Sequence, residues 1–509
     1  MFKRVMALLL VFLISLALFV KQSENSKAAS IPSQGASNSL TRATENSVVY
    51  LPLVMKNYSV PLPLWRFGTA VAQVPLADYD VYGAQNLRLG WYTNWQVINN
   101  APQPYGTEYI PMVRLKQWKL ASDGVSWTTW CITCPYVEPY TYTVSPSWNT
   151  INLAATSRPG MLWVIGNEIE RRDWSSGRQD EILPEVYAQA YNDIRNGVLS
   201  IDPTAQFAIA GLVEVTPLRL QYLDRVWNAY SQTFSQTMPV DVWNIHVFVL
   251  PEDPNSWGAA IPAGISATIG MTYTELDNIN FSMVTDQIVS FRSWMKAHGE
   301  QNKPLIMTEY GVNMPDWILC DTWPNTSGCP FTKEQVRDNM MYPSFDYFLN
   351  HTDVNLGYPL DGYRLVQRWN WWSLDYDAGK IEDFGNGSGF AMDFNGALFY
   401  SGLYVAKGGN PKGITALGYY WTHYVQSLPL GATKPYALVL GKRLPIQSQV
   451  HNPIMAKPGG GTSLSDCDNS KQIRLLFYEP SPGFWGNVVN RGLAPKLKNE
   501  SKICLPAKR

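Results

Sequence analysis

Residues 162–168 read LWVIGNE, with Met161 ahead of them and Ile169-Glu170-Arg171-Arg172-Asp173 behind. A short unbroken apolar run of this kind fits a strand covered on both faces. It stops on a glycine, an amide and a carboxylate. Glu168 and Glu170 share strand parity, so parity alone does not say which of them would face a cleft.

Seven further runs of the same type surround this one. They are WRFGTAVA (65–72), NLRLGWYTNW (86–95), TEYIPMVRL (107–115), QFAIAGL (206–212), VDVWNIHVFV (240–249), KPLIMTEYG (303–311) and YRLVQRWNWW (363–372). Helical patterns fall between several of them. Tyr187, Tyr191, Ile194 and Val198 share one helical face over 184–199, with Pro184 in the first turn and Asp202-Pro203 as the stop. Val284, Ile288, Phe291 and Met295 repeat those steps over 284–298. Leu220, Leu223, Val226, Trp227 and Tyr230 do so over 218–230, and ITALGYYWTHYV (414–425) is a last amphipathic stretch. Eight strands with mostly helical crossovers predict an α/β fold, a (β/α)8 TIM barrel with long rim loops. The segment 116–160 is long enough to hold extra strands. After about Leu428 the helical rhythm gives way to ALVLGK and QIRLLFYE, read as a small C-terminal β appendage.

The predicted organisation is residues 1–20 as signal peptide or N-terminal anchor, 21–60 as a linker with a short β segment, 61–428 as the barrel and 429–509 as the β-rich appendage. Lys3 and Arg4 precede an apolar run from Val5 to Val20, a basic start and a hydrophobic stretch. A cleaved signal is favoured over an anchor, and either places the rest of the chain outside the cytoplasm. Membrane attachment is expected through the N-terminus only. Six cysteines suit that compartment. They form three local candidate pairs: Cys131 with Cys134, Cys320 with Cys329, and Cys467 with Cys504. A net charge of −1, from 40 basic and 41 acidic residues, argues against a nucleic-acid partner. Twenty Trp and 28 Tyr fit either a large core or a surface that stacks on flat apolar faces. GNGSG (385–389) lacks the Lys-Ser/Thr pair of a phosphate loop and reads as a turn. No motif implies a catalytic metal or an organic cofactor.

In a barrel, polar residues at the carboxyl ends of strands face the site. Those ends carry Asn167 and Glu168, Glu309 and Tyr310, and Asn244 and His246. They also carry Trp369, Asn370 and Trp371, Trp91 and Asn94, and Arg114. Two carboxylates at one mouth, ringed by Trp, His and Asn, suit cleavage of a glycosidic bond. One carboxylic acid protonates the leaving oxygen, and the other carboxylate attacks the anomeric carbon or activates water. A single strand-end glutamate is better read as a salt bridge; the pair favours catalysis.

LWVIGNE and LIMTEYG resemble the strand 4 and strand 7 motifs of glycoside hydrolase clan A, the retaining β-glycosidases. That resemblance covers residues 65–428. It implies Glu168 as acid/base, Glu309 as nucleophile, and Asn167 as the partner of a substrate hydroxyl. It further implies His246 as an orienting group and Trp369 or Trp371 as a sugar platform. Trp91, Asn94, Arg114 and Tyr310 complete the candidate substrate-binding set. GWYTNW, YIPMV, GNE and VWNIHVF also resemble glycoside hydrolase family 128, small endo-β-1,3-glucanases. That family usually places Pro-Asp after the acid/base Glu, where this chain has Ile169-Glu170.

The expected activity is a secreted retaining β-glycoside hydrolase acting on a β-linked polysaccharide or oligosaccharide. The alternatives are a transglycosylase using the same residues and a non-catalytic carbohydrate-binding barrel. Burial near Trp and a second carboxylate is expected to raise the Glu168 pKa, while Arg114, Tyr and His donors keep Glu309 ionised. Glu170 is assigned to an ion pair with Arg171 or Arg172, or to an outer subsite.

Overall fold

The computed structural model describes residues 64–428, apart from 72–74, 130, 132, 173–178, 256, 313, 315–331, 376–380, 383–389, 392–395 and 400–412. Beyond them it describes the strands Gln472–Tyr478 and Leu497–Cys504, which pair antiparallel. The chain divides into residues 1–60 and 61–509. The expected signal or anchor, the linker, Cys320, Cys329, Cys467, the side chain of Cys504 and the GNGSG turn lie outside the described residues.

All eight expected strands form. They are β1 (Phe67–Ala70), β2 (Trp91–Thr93), β3 (Met112–Gln117), β4 (Leu162–Ile165), β5 (Gln206–Ile209), β6 (Trp243–Ile245), β7 (Leu305–Tyr310) and β8 (Arg368–Trp372). Most are shorter than their apolar runs, for local reasons. Pro111 donates no N–H, so the run 107–115 splits into Glu108–Tyr109 and β3. Val247, two residues beyond the end of β6 at Ile245, has φ +70°, a backbone conformation that cannot continue the strand.

The strands lie in two parallel arcs. One runs β6-β7-β8-β1-β2 and continues to Glu108–Tyr109; the other runs β3-β4-β5. Parallel bridges Ala208–Val242 and Leu212–Ile245 tie β5 to β6. The Met112 N–H donates to the Gln96 carbonyl at 2.9 Å, which ties β3 to the end of β2. Trp91, Met112, Leu162, Val164, Ala208, Val242 and Ile306 meet in one small buried cluster on the inner face of both arcs. The larger core lies between the outer faces and the helices. Each large apolar side chain buried there contributes roughly 1.5–3 kcal/mol.

The helices are α1 (Trp148–Ser157), α2 (Pro184–Leu199), α3 (Pro217–Phe234), α4 (Phe281–Ala297), α5 (Lys333–Val336), α6 (Tyr342–Asn350) and α7 (Ala416–Ser427). A π turn, Arg337–Met341, joins α5 to α6. α2 buries Tyr187, Tyr191, Ile194 and Val198, the face its spacing predicts. Thr216 caps α3 by accepting from the Arg219 N–H, which satisfies one of the free donors of the first turn. Among the described residues, β1 to β2 and β2 to β3 are joined by 3-10 turns rather than α-helices. The long segment after β3 holds a hairpin, Lys119–Leu120 with Trp127–Thr128, and a strand, Tyr142–Ser145, antiparallel to β3. Cys131 and Cys134 are bridged, with Cα atoms 5.3 Å apart. No helix among the described residues is long and apolar enough to cross a membrane.

Candidate active site

β4 delivers its two polar residues through an abrupt turn. Gly166 has φ +90°, and a Cβ there would come within 2.7 Å of Ile169 Cγ2, so glycine is required. Glu168 itself has φ +47°, a conformation that costs a non-glycine residue energy and clusters at functional sites. Its N–H donates to the Gly211 carbonyl at 3.1 Å. Asp180 braces the turn by accepting from the Asn167 N–H (2.9 Å), the Leu115 N–H (3.1 Å) and the Arg114 guanidinium (2.9 Å).

β7 aims two successive residues at the same place. Its pairing with β8 shifts register between Met307 and Tyr310. A bulge of this kind re-aims a side chain. Thr308 and Glu309 both reach His246, while Met307 and Tyr310 pack into the outer core. His246 follows β6, and its ring fits because Gly211 has no Cβ; one there would lie 2.3 Å from the imidazole.

Three titratable side chains therefore converge. Glu168 Oε1 lies 3.2 Å from His246 Nδ1, and Glu309 Oε1 lies 3.9 Å from His246 Nε2. The three groups offer atoms within 4.8 Å of one another. The hydrogen-bond directions decide what the trio is. The Asn244 amide N–H donates to the Ile209 carbonyl, which turns its Oδ1 toward Thr308. That oxygen takes the Thr308 hydroxyl proton at 3.1 Å, so Thr308 Oγ1 accepts from His246 Nε2–H at 3.0 Å. An ionised Glu168 can only accept, so Nδ1 donates as well. Both imidazole nitrogens are then donors and neither has a lone pair for a cation. Burial would discharge His246, but the Glu309 and Glu168 carboxylates override it and raise its pKa.

The two carboxylates differ in their other partners. Glu168 Oε2 is 3.0 Å from Arg171 Nη1. Burial works to raise the Glu168 pKa, yet Arg171 and His246 outweigh it and hold the group down to about 2. Glu309 accepts from Trp95 Nε1. Burial pushes its pKa up to about 7, against the lowering effect of His246, and the Glu168 charge adds to the rise. This is the reverse of the sequence-based expectation, because Arg171 stands at Glu168 while Arg114 is bound to Asp180.

The remaining predicted residues divide by strand parity. Trp369 and Trp371 are fully buried on the outer face of β8, against Phe67 and Phe348, and against Tyr310 and Phe345. They offer no platform. Tyr310 is buried with its hydroxyl on Ser344, so it does not line the site. Trp91 lies in the inner cluster, donating to the Arg66 carbonyl beneath the Arg368 guanidinium. Asn94 accepts from the Tyr109 hydroxyl at 2.9 Å. The aromatic residues beside the trio are instead Trp95, on Glu309, and Phe248, whose ring lies 6.0 Å from His246 and 6.3 Å from Trp372. NE in the strand 4 motif and WNIH in strand 6 announce the polar members; nothing in the sequence singles out Trp95 or Arg171 among their neighbours.

Glu170 belongs to a second, sealed cluster. Its partner is neither Arg171 nor Arg172 but Arg219 of α3, at 3.2 Å. The same guanidinium meets Glu252, and Glu214 at 3.4 Å. All four residues have no exposed surface, which excludes an outer subsite.

No family model matches this chain, and no curated protein does. Several similar solved structures are glycoside hydrolases. A family GH128 (subgroup II) endo-β-1,3-glucanase from Sorangium cellulosum shares 14 % identity, with 72 % of this chain and 100 % of that one covered and a TM-score of 0.38. A monomeric β-xylosidase from Caulobacter crescentus shares 13 %, over 73 % and 70 %, with a TM-score of 0.40. A GH128 (subgroup VII) oligosaccharide-binding protein from Trichoderma gamsii shares 11 %, over 70 % and 94 %, with a TM-score of 0.35. Likeness this distant assigns neither activity nor substrate.

Proposed function

We propose that this chain is a retaining β-glycoside hydrolase that works outside the cytoplasm on a β-linked polysaccharide or oligosaccharide. The two arcs are taken as the wall of a (β/α)8 barrel, closed by the β5–β6 bridges and the Met112–Gln96 hydrogen bond. One observation carries the reading: Glu168 and Glu309, from the ends of β4 and β7, offer oxygens within 4.8 Å of each other. Carboxyl groups about 5–5.5 Å apart suit a nucleophile and an acid/base, whereas about 6.5–9.5 Å leaves room for an attacking water.

Glu309 is the nucleophile, oriented by the Trp95 indole N–H. It attacks the anomeric carbon while Glu168 protonates the departing oxygen. In the second step Glu168 takes a proton from water, which attacks the same carbon and releases Glu309. His246 holds both groups in register from its Thr308–Asn244 support.

The test is a panel of β-linked polysaccharides and aryl glycosides, with the product anomer followed by NMR. First-formed β product is expected, together with β-glycosyl azide from Glu168→Ala in azide. First-formed α product would overturn retention. Binding of a polysaccharide with no cleavage of any glycoside would overturn the enzyme in favour of a binding protein.

A further inference from the structure

Both oxygens of Glu168 are occupied. His246 holds Oε1, and Arg171 Nη1 holds Oε2 at 3.0 Å. A group locked in this way is a carboxylate with no proton to give. His246 is buried and pinned by Thr308, so it stays. Arg171 is different. Its side chain is 16 % exposed, and its other bond is to one backbone carbonyl, Gly258 O, at 3.0 Å. That carbonyl lies in the loop after β6. The Arg171 N–H closes the Glu168 turn by donating to the Glu168 carbonyl at 3.0 Å, so its backbone stays fixed while the guanidinium swings.

We propose that Arg171 is a positioning residue that holds Glu168 idle in the free protein and is displaced from Oε2 by the leaving-group side of the substrate. This rests on the glycosidase reading. A glycosidic oxygen that is to be protonated must come within hydrogen-bond reach of the acid, and Arg171 occupies Oε2, the one oxygen that His246 does not hold. Once it leaves, Oε2 takes one proton from solvent. Glu168 is then neutral, its charge no longer opposes Glu309, and Glu309 gives one proton to solvent. The pair's net charge is unchanged, with the acid and the nucleophile now in their working forms. The proton on Oε2 passes to the glycosidic oxygen as its bond to the anomeric carbon breaks and Glu309 bonds to that carbon.

Among the described residues, the charged groups around Glu168 leave Arg171 as its one movable partner. Arg171 comes from its own segment, Arg114 from β3, His246 from beyond β6 and Glu309 from β7, with Glu170 and Arg219 felt through the wall behind. Arg114 is committed to Asp180 and Arg219 to the sealed cluster, so neither replaces Arg171.

The experiment uses the full chain with 13C-labelled glutamate, the Glu168 carboxyl being assigned by its loss in Glu168→Gln. In the free wild type that signal is expected to titrate below the ordinary carboxylate range. In Arg171→Met it moves up by at least one pH unit, and Arg171→Lys restores part of the difference. Kinetics supply the second readout. For an unactivated β-glycoside, the acid limb of kcat/KM, set in the free protein by the lower-titrating Glu168, moves to higher pH in Arg171→Met. With a dinitrophenyl glycoside, which departs without a proton, kcat/KM, which reports only the first step, changes less than it does for the unactivated glycoside. An unmoved Glu168 titration in folded Arg171→Met overturns the proposal, as does an equal change of kcat/KM on both substrates. If wild type cleaves no glycoside, the enzymatic reading and the displacement step fall, while a shifted Glu168 signal still establishes Arg171's control of that carboxyl.

Discussion

Two carboxylate clusters stand two residues apart along the chain. Glu168 meets Glu309, His246 and Arg171, with 3–4 % of each glutamate exposed. Glu170 meets Arg219, Glu214 and Glu252, with nothing exposed. The first has one partly exposed partner, Arg171, and keeps a trace of exposed surface. The second is closed by backbone bonds: Val213 N–H to Glu170, Leu250 N–H to Glu214, Met271 N–H to Glu252, and Arg219 to the Ala259 and Ala260 carbonyls. Burying charge is tolerated in both, but only the first keeps carboxylates with any exposed surface, as the proposed proton exchange with a substrate requires. The second fixes α3 to the loop after β6, the same loop whose Gly258 carbonyl holds Arg171.

The comparison breaks most readily at the end proposed as catalytic. Glu168→Ala or Glu309→Ala is expected to cut kcat on an unactivated glycoside by about 10²–10⁴-fold or more, measured by reducing-end release, with little change in Tm. Glu170→Ala should do the opposite, lowering Tm first. Full activity in either of the first two variants would erase the distinction.

Arg219→Met tests the sealed side. It leaves three buried carboxyl groups without their shared cation and is expected to cost about 3–5 kcal/mol of stability, read by denaturant unfolding at pH 7. A stable variant would show that the cluster does not depend on its arginine.

Trp95→Phe keeps the ring and removes the N–H that steadies Glu309. Loss of a hydrogen bond to a charged group predicts a roughly tenfold fall in kcat/KM. That N–H lowers the Glu309 pKa, so its removal raises it. The acid limb of kcat, where activity falls as the proposed nucleophile is protonated in the substrate complex, should move to higher pH. An acid limb that stays in place would detach Trp95 from the nucleophile.

Glu214 gives the smallest effect. Burial raises its carboxyl to about 8, against the lowering effect of Arg219. The folded chain then keeps a proton that the unfolded chain loses at the ordinary carboxylate value. Stability is therefore fullest below that value and declines as pH rises towards about 8. Glu214→Gln should flatten this decline and raise Tm by a few degrees at alkaline pH. An unchanged slope in Tm against pH would remove Glu214 as its source.

Much of the framework was legible from the chain alone. Hydrophobic runs with helical stretches between them located all eight strands, and α2 matches its predicted span from Pro184 to Leu199. The strand-end reading brought out Glu168, Glu309 and His246, which do meet. The ends of the strands were read too generously where a proline or a left-handed residue stops pairing, as at Pro111 and Val247. Platform residues on β8 were misplaced because tryptophan serves equally in a core and in a cleft, and Trp369 and Trp371 fall on the outward parity.

The sequence by itself determined which segments are strands and which strand ends carry ionisable groups, because periodicity and residue chemistry are local properties. The tertiary structure decided which of those groups meet. The β7 bulge turns Thr308 and Glu309 inward together, the φ +47° turn separates Glu168 from Glu170, and Arg171 closes on Glu168 across a single turn. Each of these breaks the strict alternation of a strand, and alternation is the rule by which a linear pattern assigns a strand's side chains to faces.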